Sequence, residues 1–203
     1  MRIIAGEFKS RRIKSVPGED VRPTPDRLRE SLFSILQPRL EDAVFLDAYA
    51  GTGAVGLEAV SRGASKAILI EKNREAMTAL EENVRSLGVQ SRVQVIKGSA
   101  HVYMGSHPAD IVFIDPPYDS DKEYERSLEV AGTMEAGLVI VQHDVRRALP
   151  DSQGKLTKTR TVRQGTNVLT FYSPMPAAPD PPQTLPLPDP ESDTPPANSP
   201  QTE

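Results

Sequence analysis

Cysteine and tryptophan are absent from the 203-residue chain, and histidine occurs only three times. Without cysteine there is no disulfide framework, no thiolate metal site and no cysteine nucleophile. His101, His107 and His143 stand far apart and make no metal-ligand spacing, so no metal is expected. Long apolar runs are also missing. Stretches such as Leu138 to Val141 fall far short of the roughly 18 residues a membrane helix needs. The opening Met1-Arg2-Ile3-Ile4-Ala5-Gly6-Glu7 lacks the apolar stretch of a signal peptide. The expectation is a soluble, cytoplasmic protein with no membrane partner and one domain of ordinary size.

An excess of positive charge is lacking overall, with 24 Lys+Arg against 28 Asp+Glu, but the distribution is uneven. Residues 1–40 carry +4, 41–145 carry −8, 146–173 carry +5 and 174–203 carry −5. The last of these segments also holds eleven of the nineteen prolines and almost no large apolar residue. It cannot bury enough surface to offset its ordering entropy and reads as a disordered, acidic, Pro-rich tail. Positive charge then gathers at both ends of the remaining chain. Such ends are either ordinary solvated faces or a grip on the phosphates of RNA or DNA.

Arg2–Ala5 and Arg11–Lys14 read as short extended pieces either side of Gly6. Thr24, Pro25 and Asp26 then suit the cap, first position and first turn of a helix. Leu28, Leu32, Phe33 and Leu36 form its apolar stripe, and Pro38 is expected just past its end. From residue 43 strands alternate with helices. Strands are predicted at Ala43–Leu46, Lys66–Ile70, Arg92–Ile96, Ile111–Ile114 and Gly137–Val141. Helices are predicted at about Gly53–Ser61 and after Asn73, the latter stopped by Gly88. Leu156–Val162 and Asn167–Tyr172 read as a closing hairpin around Gln164-Gly165-Thr166. Buried strands separated by amphipathic helices imply an α/β fold, a parallel sheet with helices on both faces. Ligands there bind beyond the carboxyl ends of the strands, where Asp47, Glu71 and Asp115 fall.

Gly51-Thr52-Gly53-Ala54-Val55-Gly56 matches G-x-G-x-x-G after a strand and at the opening of a helix, with Glu71 twenty residues beyond Gly51. The pattern alone is a weak sign of a dinucleotide, and the alternative is a plain tight strand–helix turn. Asp47 separates the possible ligands. A pyrophosphate beside it would be repelled, whereas S-adenosylmethionine carries an ammonium and a sulfonium and no phosphate. Glu71 can accept hydrogen bonds from ribose hydroxyls.

Asp115-Pro116-Pro117-Tyr118 follows the fourth strand. Two prolines remove two amide donors and leave carbonyls and a carboxylate as acceptors. That suits a planar amino group: Asp115 and the Pro116 carbonyl each take one N–H, and Tyr118 stacks on the attached ring. The alternative is a rigid turn carrying a stray acid.

These residues, together with Asp47 to Ala59, Ser61-Arg62-Gly63-Ala64, Arg2-Ile3-Ile4-Ala5-Gly6 and Arg22 to Glu30, resemble the RsmD family. Members methylate the exocyclic N2 of a guanine in 16S ribosomal RNA. The resemblance runs from Arg2 to about Tyr172. It implies a Rossmann-like class I S-adenosylmethionine-dependent methyltransferase fold with a seven-stranded, mostly parallel sheet. It further implies a β-hairpin extension for RNA at residues 1–22, a methyltransferase domain at 23–173 and a tail at 174–203. By position, Asp47, Gly51 and Gly53, with Thr52 between them, line the methionine side of the cofactor. Glu71 meets its ribose, and Asp115, Pro116 and Tyr118 meet the target amine. Arg11, Arg12, Lys14, Arg22, Arg27 and Arg29 are implied near the RNA entrance, although Arg27 and Arg29 serve equally as solvated helix arginines. Tyr49 replaces the family's frequent phenylalanine, in the core or in the cofactor pocket. Ser99 stands where the family usually has an acid for the adenine amine, which leaves an uncharged hydrogen bond there. The implied partner is 16S rRNA or an assembling small subunit, met by a monomer. Two other readings stay open: an amino-methyltransferase acting on DNA adenine N6 or protein glutamine N5, and a non-catalytic nucleic-acid-binding module.

Overall fold

The computed structural model describes residues 1–16, 26–117 and 119–175. Arg22, Tyr118, the expected helix cap at Thr24 and Pro25, and the tail from residue 176 onward lie outside the described residues.

Helix α1 (Asp26–Leu40) buries Leu28, Leu32, Phe33 and Leu36, the stripe expected from their spacing. It runs through Pro38 rather than stopping before it. A proline in the last turn costs little beyond one backbone bond, and fully buried Leu40 keeps the turn on the core. Next come β1 (Val44–Asp47), α2 (Ala54–Ser61), β2 (Lys66–Glu71), α3 (Arg74–Leu87) and β3 (Val93–Lys97). Asn73 caps α3 through its side chain and Gly88 ends it in the left-handed conformation, as the sequence signals require. The chain continues through α4 (Ala100–Tyr103), a single 3₁₀ turn, β4 (Ile111–Ile114), α5 (Asp121–Ala131) and β5 (Leu138–Asp144). It closes with β6 (Ser152–Gln153), β7 (Leu156–Gln164) and β8 (Asn167–Pro174).

The strands form one sheet of eight in the order β3-β2-β1-β4-β5-β8-β7-β6. The implied seven become eight because two-residue β6 pairs with the start of β7. β1 to β5 are mutually parallel, while β8 enters antiparallel beside β5 and β7 folds back on it. Central strands read as continuous apolar runs because both faces are covered. On one face Leu46, Ile68, Val112 and Val139 pack against Tyr124 and Leu128 of α5. On the other, Phe45, Ile111 and Ile140 meet α1, and Leu69 meets Leu80 of α3. Pro174 pairs with Leu156, and the Met175 amide donates to the Lys155 carbonyl, so the first two residues assigned to the tail belong to the sheet.

In the N-terminal arm Arg2 and Arg12 form an antiparallel bridge, and the amides of Ile3, Ser10 and Ile13 donate to the carbonyls of Arg11, Ile3 and Met1 at 3.0, 2.9 and 3.1 Å. The amides of Ile4, Ala5, Glu7 and Phe8 turn instead to α2. Buried Glu58 of α2 accepts Ile4 N–H at 2.7 Å and Ala5 N–H at 2.9 Å while holding Arg62 at 2.7 Å. Gly6 presses so closely on α2 that a Cβ there would stand 1.8 Å from the Ser61 carbonyl oxygen, and its φ is +83°. Ile3 and Ile13 complete the contact in the core beside Leu57 and Leu80. The arm is therefore plastered on the domain. Glu58→Ala leaves two backbone donors and Arg62 without their shared acceptor, and should lower unfolding stability by about 2 kcal/mol in denaturant titrations. A loss under about 0.5 kcal/mol would mean that the apolar contacts alone hold the arm.

Candidate active site

Sheet register sets the acids in a row. Asp47 lies opposite Leu69 on β2 and Phe113 on β4, so Glu71 and Asp115 each stand two residues beyond a neighbour of Asp47. Glu71 in turn lies opposite Lys97, and Ser99 stands two residues further on. Four strand ends thus place Ser99, Glu71, Asp47 and Asp115 side by side along the carboxyl edge.

Asp47 is 1% exposed. Gly56 N–H donates to its Oδ2 at 3.2 Å, while Oδ1 is buried with no hydrogen-bond partner. Burial pushes its carboxyl up to about 7; the backbone amides of Tyr49 and Gly56 oppose that rise and the nearby Glu71 charge adds to it. A buried carboxylate oxygen without a donor is a costly arrangement that a cationic ligand relieves.

The glycine turn beside it is shaped by contacts. Gly51 has φ +54° with open space where a Cβ would project, whereas a Cβ on Gly53 (φ +88°) would meet Leu80 at 2.5 Å. Gly56 packs α2 onto β2, since a Cβ there would stand 2.1 Å from Leu69. Glu71 organises this turn: Oε2 accepts Gly51 N–H at 2.7 Å, and Oε1 accepts the amides of Lys72 and Asn73 at 2.8 and 2.6 Å. A carboxylate offers about four acceptor positions, so two ribose hydroxyls must share Glu71 with these amides. Ser99 precedes α4 in an extended conformation, and its hydroxyl caps nothing. The edge thus holds an orphaned anionic oxygen, an open glycine surface and hydroxyl-binding groups. This donor set fits a cationic ligand bearing a ribose.

Half-buried Tyr49 follows Asp47 by two residues. Its hydroxyl donates to Glu123 Oε2 at 2.8 Å and lies 2.7 Å from Ser127 Oγ, both on α5. It is a strut from the turn after β1 to α5. The extra hydroxyl relative to phenylalanine is accommodated by two polar groups of α5.

Half-buried Asp115 and buried Pro116 stand at the next strand end. The Pro116 carbonyl, expected to serve the target amine, already lies 3.3 Å from the Tyr124 hydroxyl, which also reaches the Gln142 carbonyl at 3.1 Å. A carbonyl has two lone pairs, so one remains for a substrate. Sequence reasoning missed Tyr124 and the α5 helix that carries it, although Tyr124, Ser127, Leu128 and Ala131 keep helical spacing. Arg147 lies over the Tyr124 ring at 4.0 Å and pairs with Asp121 at 2.7 Å. Beside this contact an open groove of about 710 Å³ is lined by Asp119, Asp121, Glu125, Asp144, Arg146 and Arg147 among others. Acids outnumber arginines there, which disfavours a phosphate chain.

Arg11, Arg12 and Lys14 are exposed on the arm, and Arg27 is exposed on α1. Arg29 is not. Its side chain is fully buried, and its guanidinium donates to the Arg2 carbonyl at 2.8 Å and Asp26 at 2.9 Å. Burial lowers its pKa below the ordinary arginine value. It anchors the arm to α1 and is no RNA contact, because no face of it reaches solvent.

Among the described residues no cluster of potential metal ligands occurs, and no helix is long and apolar enough to cross a membrane.

A parallel sheet closed by an antiparallel hairpin, with an acid at each of three adjacent strand ends, defines a Rossmann-like methyltransferase domain. The profile described as Conserved hypothetical protein 95 matches residues 1–173, and the chain belongs to that family, the RsmD family. It is 37% identical over 155 residues to Ribosomal RNA small subunit methyltransferase D of Escherichia coli K12, covering 74% of this chain and 78% of that protein. It is 31% identical over 188 residues to the Bacillus subtilis protein called Putative rRNA methyltransferase YlbH, covering 85% and 98%. Among solved structures, the putative methyltransferase yhhF from Escherichia coli superposes with a TM-score of 0.76 at 32% identity, over 86% of this chain and 97% of that one.

Proposed function

We propose that the protein methylates the exocyclic N2 of a guanine in small-subunit ribosomal RNA, using S-adenosylmethionine. The observation that carries this reading is the buried, unpartnered Asp47 oxygen one strand away from Asp115-Pro116: a site for a cation beside acceptors for an amine. When bound, S-adenosylmethionine supplies a methyl group on a positively charged sulfur. Asp47 holds the cationic end, Gly51 lets the backbone come close, and Glu71 and Ser99 offer hydrogen bonds to ribose and adenine. Asp115 and the Pro116 carbonyl each accept one N–H of the guanine amino group. Held so, its lone pair is drawn out of conjugation and aimed at the methyl, an effect of orientation and preorganised polarity. No strong base is required before attack, because the methylated nitrogen turns acidic and sheds a proton afterwards. A guanine inside a helix cannot reach these acceptors, so the target base is unpaired or turned outward. The names of the relatives favour RNA over DNA adenine, and the basic arm favours a nucleic acid over protein glutamine.

Labelled methyl should pass from S-adenosylmethionine to small-subunit RNA, or to immature subunits from a strain lacking the activity. Nuclease digestion and mass spectrometry should then yield N2-methylguanosine. N6-methyladenine in its place would transfer the assignment to the amino-methyltransferase alternative. Replacing Arg11 and Arg12 together by alanine should reduce the slope of log affinity against log salt by about 1.4, at about 0.7 per phosphate contact on single strands. An unchanged slope would return both side chains to the solvated face.

A further inference from the structure

Asn83 of α3 lies outside every motif above, yet its amide joins the two halves of the site. It is 2% exposed. Its Oδ1 accepts the Lys14 amide at 2.7 Å, while Nδ2 donates to the Lys14 carbonyl at 3.0 Å and to the Thr52 carbonyl at 2.9 Å. The atom facing an N–H must be oxygen and the atom facing two carbonyls must be nitrogen, so the amide has one satisfactory orientation. Lys14 belongs to the basic arm, and Thr52 sits between the first two glycines of the turn.

A carboxamide is planar, and its two N–H bonds diverge at a fixed angle. If the amide follows a shift of Lys14, its second N–H swings off Thr52 and strands a partly buried carbonyl. Above this clasp the arm rests on α3 through side-chain contacts that phosphates can take over. The Lys14 ammonium pairs with Glu82, and Arg11 Nη2 donates to the Ser86 carbonyl at 2.7 Å. The backbone clasp on Asn83 is buried beneath them and survives that exchange.

We infer that Asn83 is a positioning residue through which the docked arm orders the glycine turn, so that RNA and the methyl donor bind with positive cooperativity. The inference rests on the functional reading above. Its two states are the Lys14 end of the arm docked on Asn83 and lifted from it, while the stretch held by Glu58 and Gly6 stays in place. RNA needs Arg11 and Arg12 presented together, and the donor needs the turn ordered. Each ligand supplies order that the other would otherwise have to impose, and the coupling is reciprocal.

The full chain is titrated calorimetrically with S-adenosylhomocysteine, which prevents turnover, with and without a saturating fragment of small-subunit ribosomal RNA. Binding should be about 5–10-fold tighter with RNA, and the ratio should fall to about one in Asn83→Ala. A wild-type ratio of about one, or a variant that keeps the wild-type ratio, overturns the inference. Wild-type protein that takes up neither ligand removes the functional reading itself. Hydrogen exchange on the wild type makes the same test without a variant. S-adenosylhomocysteine alone should slow exchange of the Lys14 amide at least about 5-fold, although Lys14 is outside the donor site. Unchanged exchange there overturns the inference, even if Asn83→Ala fails to fold.

Discussion

Replacing Asp115 by alanine should slow methyl transfer about 10²–10³-fold, the scale seen when one preorganised polar contact to a reacting group is removed. Asp115 stands at the strand end next to that of Asp47, and its neighbour Pro116 is held through the Tyr124 hydroxyl. The loss should therefore fall on kcat, with S-adenosylmethionine affinity changed little, because the cationic end is assigned to Asp47. Single-turnover assays with labelled donor separate the two quantities. Full activity in Asp115→Ala would strip the residue of its role, while equal loss of affinity and rate would place it at the donor instead. Asp115→Asn keeps an acceptor oxygen and should recover part of the rate.

The second large effect concerns Asp47 and has two opposite faces. Its folded-state pKa is raised by burial from 3.8 to about 7. The folded state thus binds the proton more tightly than the unfolded chain. The resulting stability is full below pH 3.8 and is lost as pH rises through 7. The total is on the order of 4 kcal/mol. Asp47→Asn removes the ionisation, so the variant should melt higher than the wild type at about pH 8 and lose that advantage in acid. Its affinity for S-adenosylmethionine should fall about 10²-fold, as when one member of a buried charge pair is truncated. In the wild type the donor selects ionised Asp47. Its binding should weaken below about pH 7 and release a proton, read from calorimetry in buffers of different ionisation heat. A variant less stable at about pH 8, or one that binds the donor normally, would contradict both the burial argument and the assigned partner.

The parallel part of the sheet is legible in the sequence because β1, β2, β4 and β5 each carry an apolar run followed by a polar residue, and β3 differs only by Gln94 in its middle. Both faces of β1, β2, β4 and β5 are covered, so nothing in those runs competes with the strand assignment. Helix α5 is hard to read from the sequence although its apolar positions keep helical spacing, because its exposed positions are crowded with charge. Helix α4 is illegible for a different reason: a four-residue helix shows too little periodicity to be seen. At the site, residue types were readable and contacts were not. Asp47, Gly51 and Glu71 stand where the spacing places them, yet that Glu71 would hold three backbone amides is a property of the turn's path. Arg29 shows the limit most plainly. An arginine one turn into a helix looks solvated, and it is buried here because the chain's own first residues fold back over it.

β8 is the last strand described, and it lies in the interior of the sheet between β5 and β7. During synthesis the row from β3 to β5 can assemble while β5 still presents a bare, apolar margin. That margin stays open to mispairing until residues 167–174 have left the ribosome. Shortening the chain into β8 would remove a beam from the middle of the sheet rather than trim its rim. A reporter or affinity handle is therefore safer when fused well beyond Met175 than abutted to it.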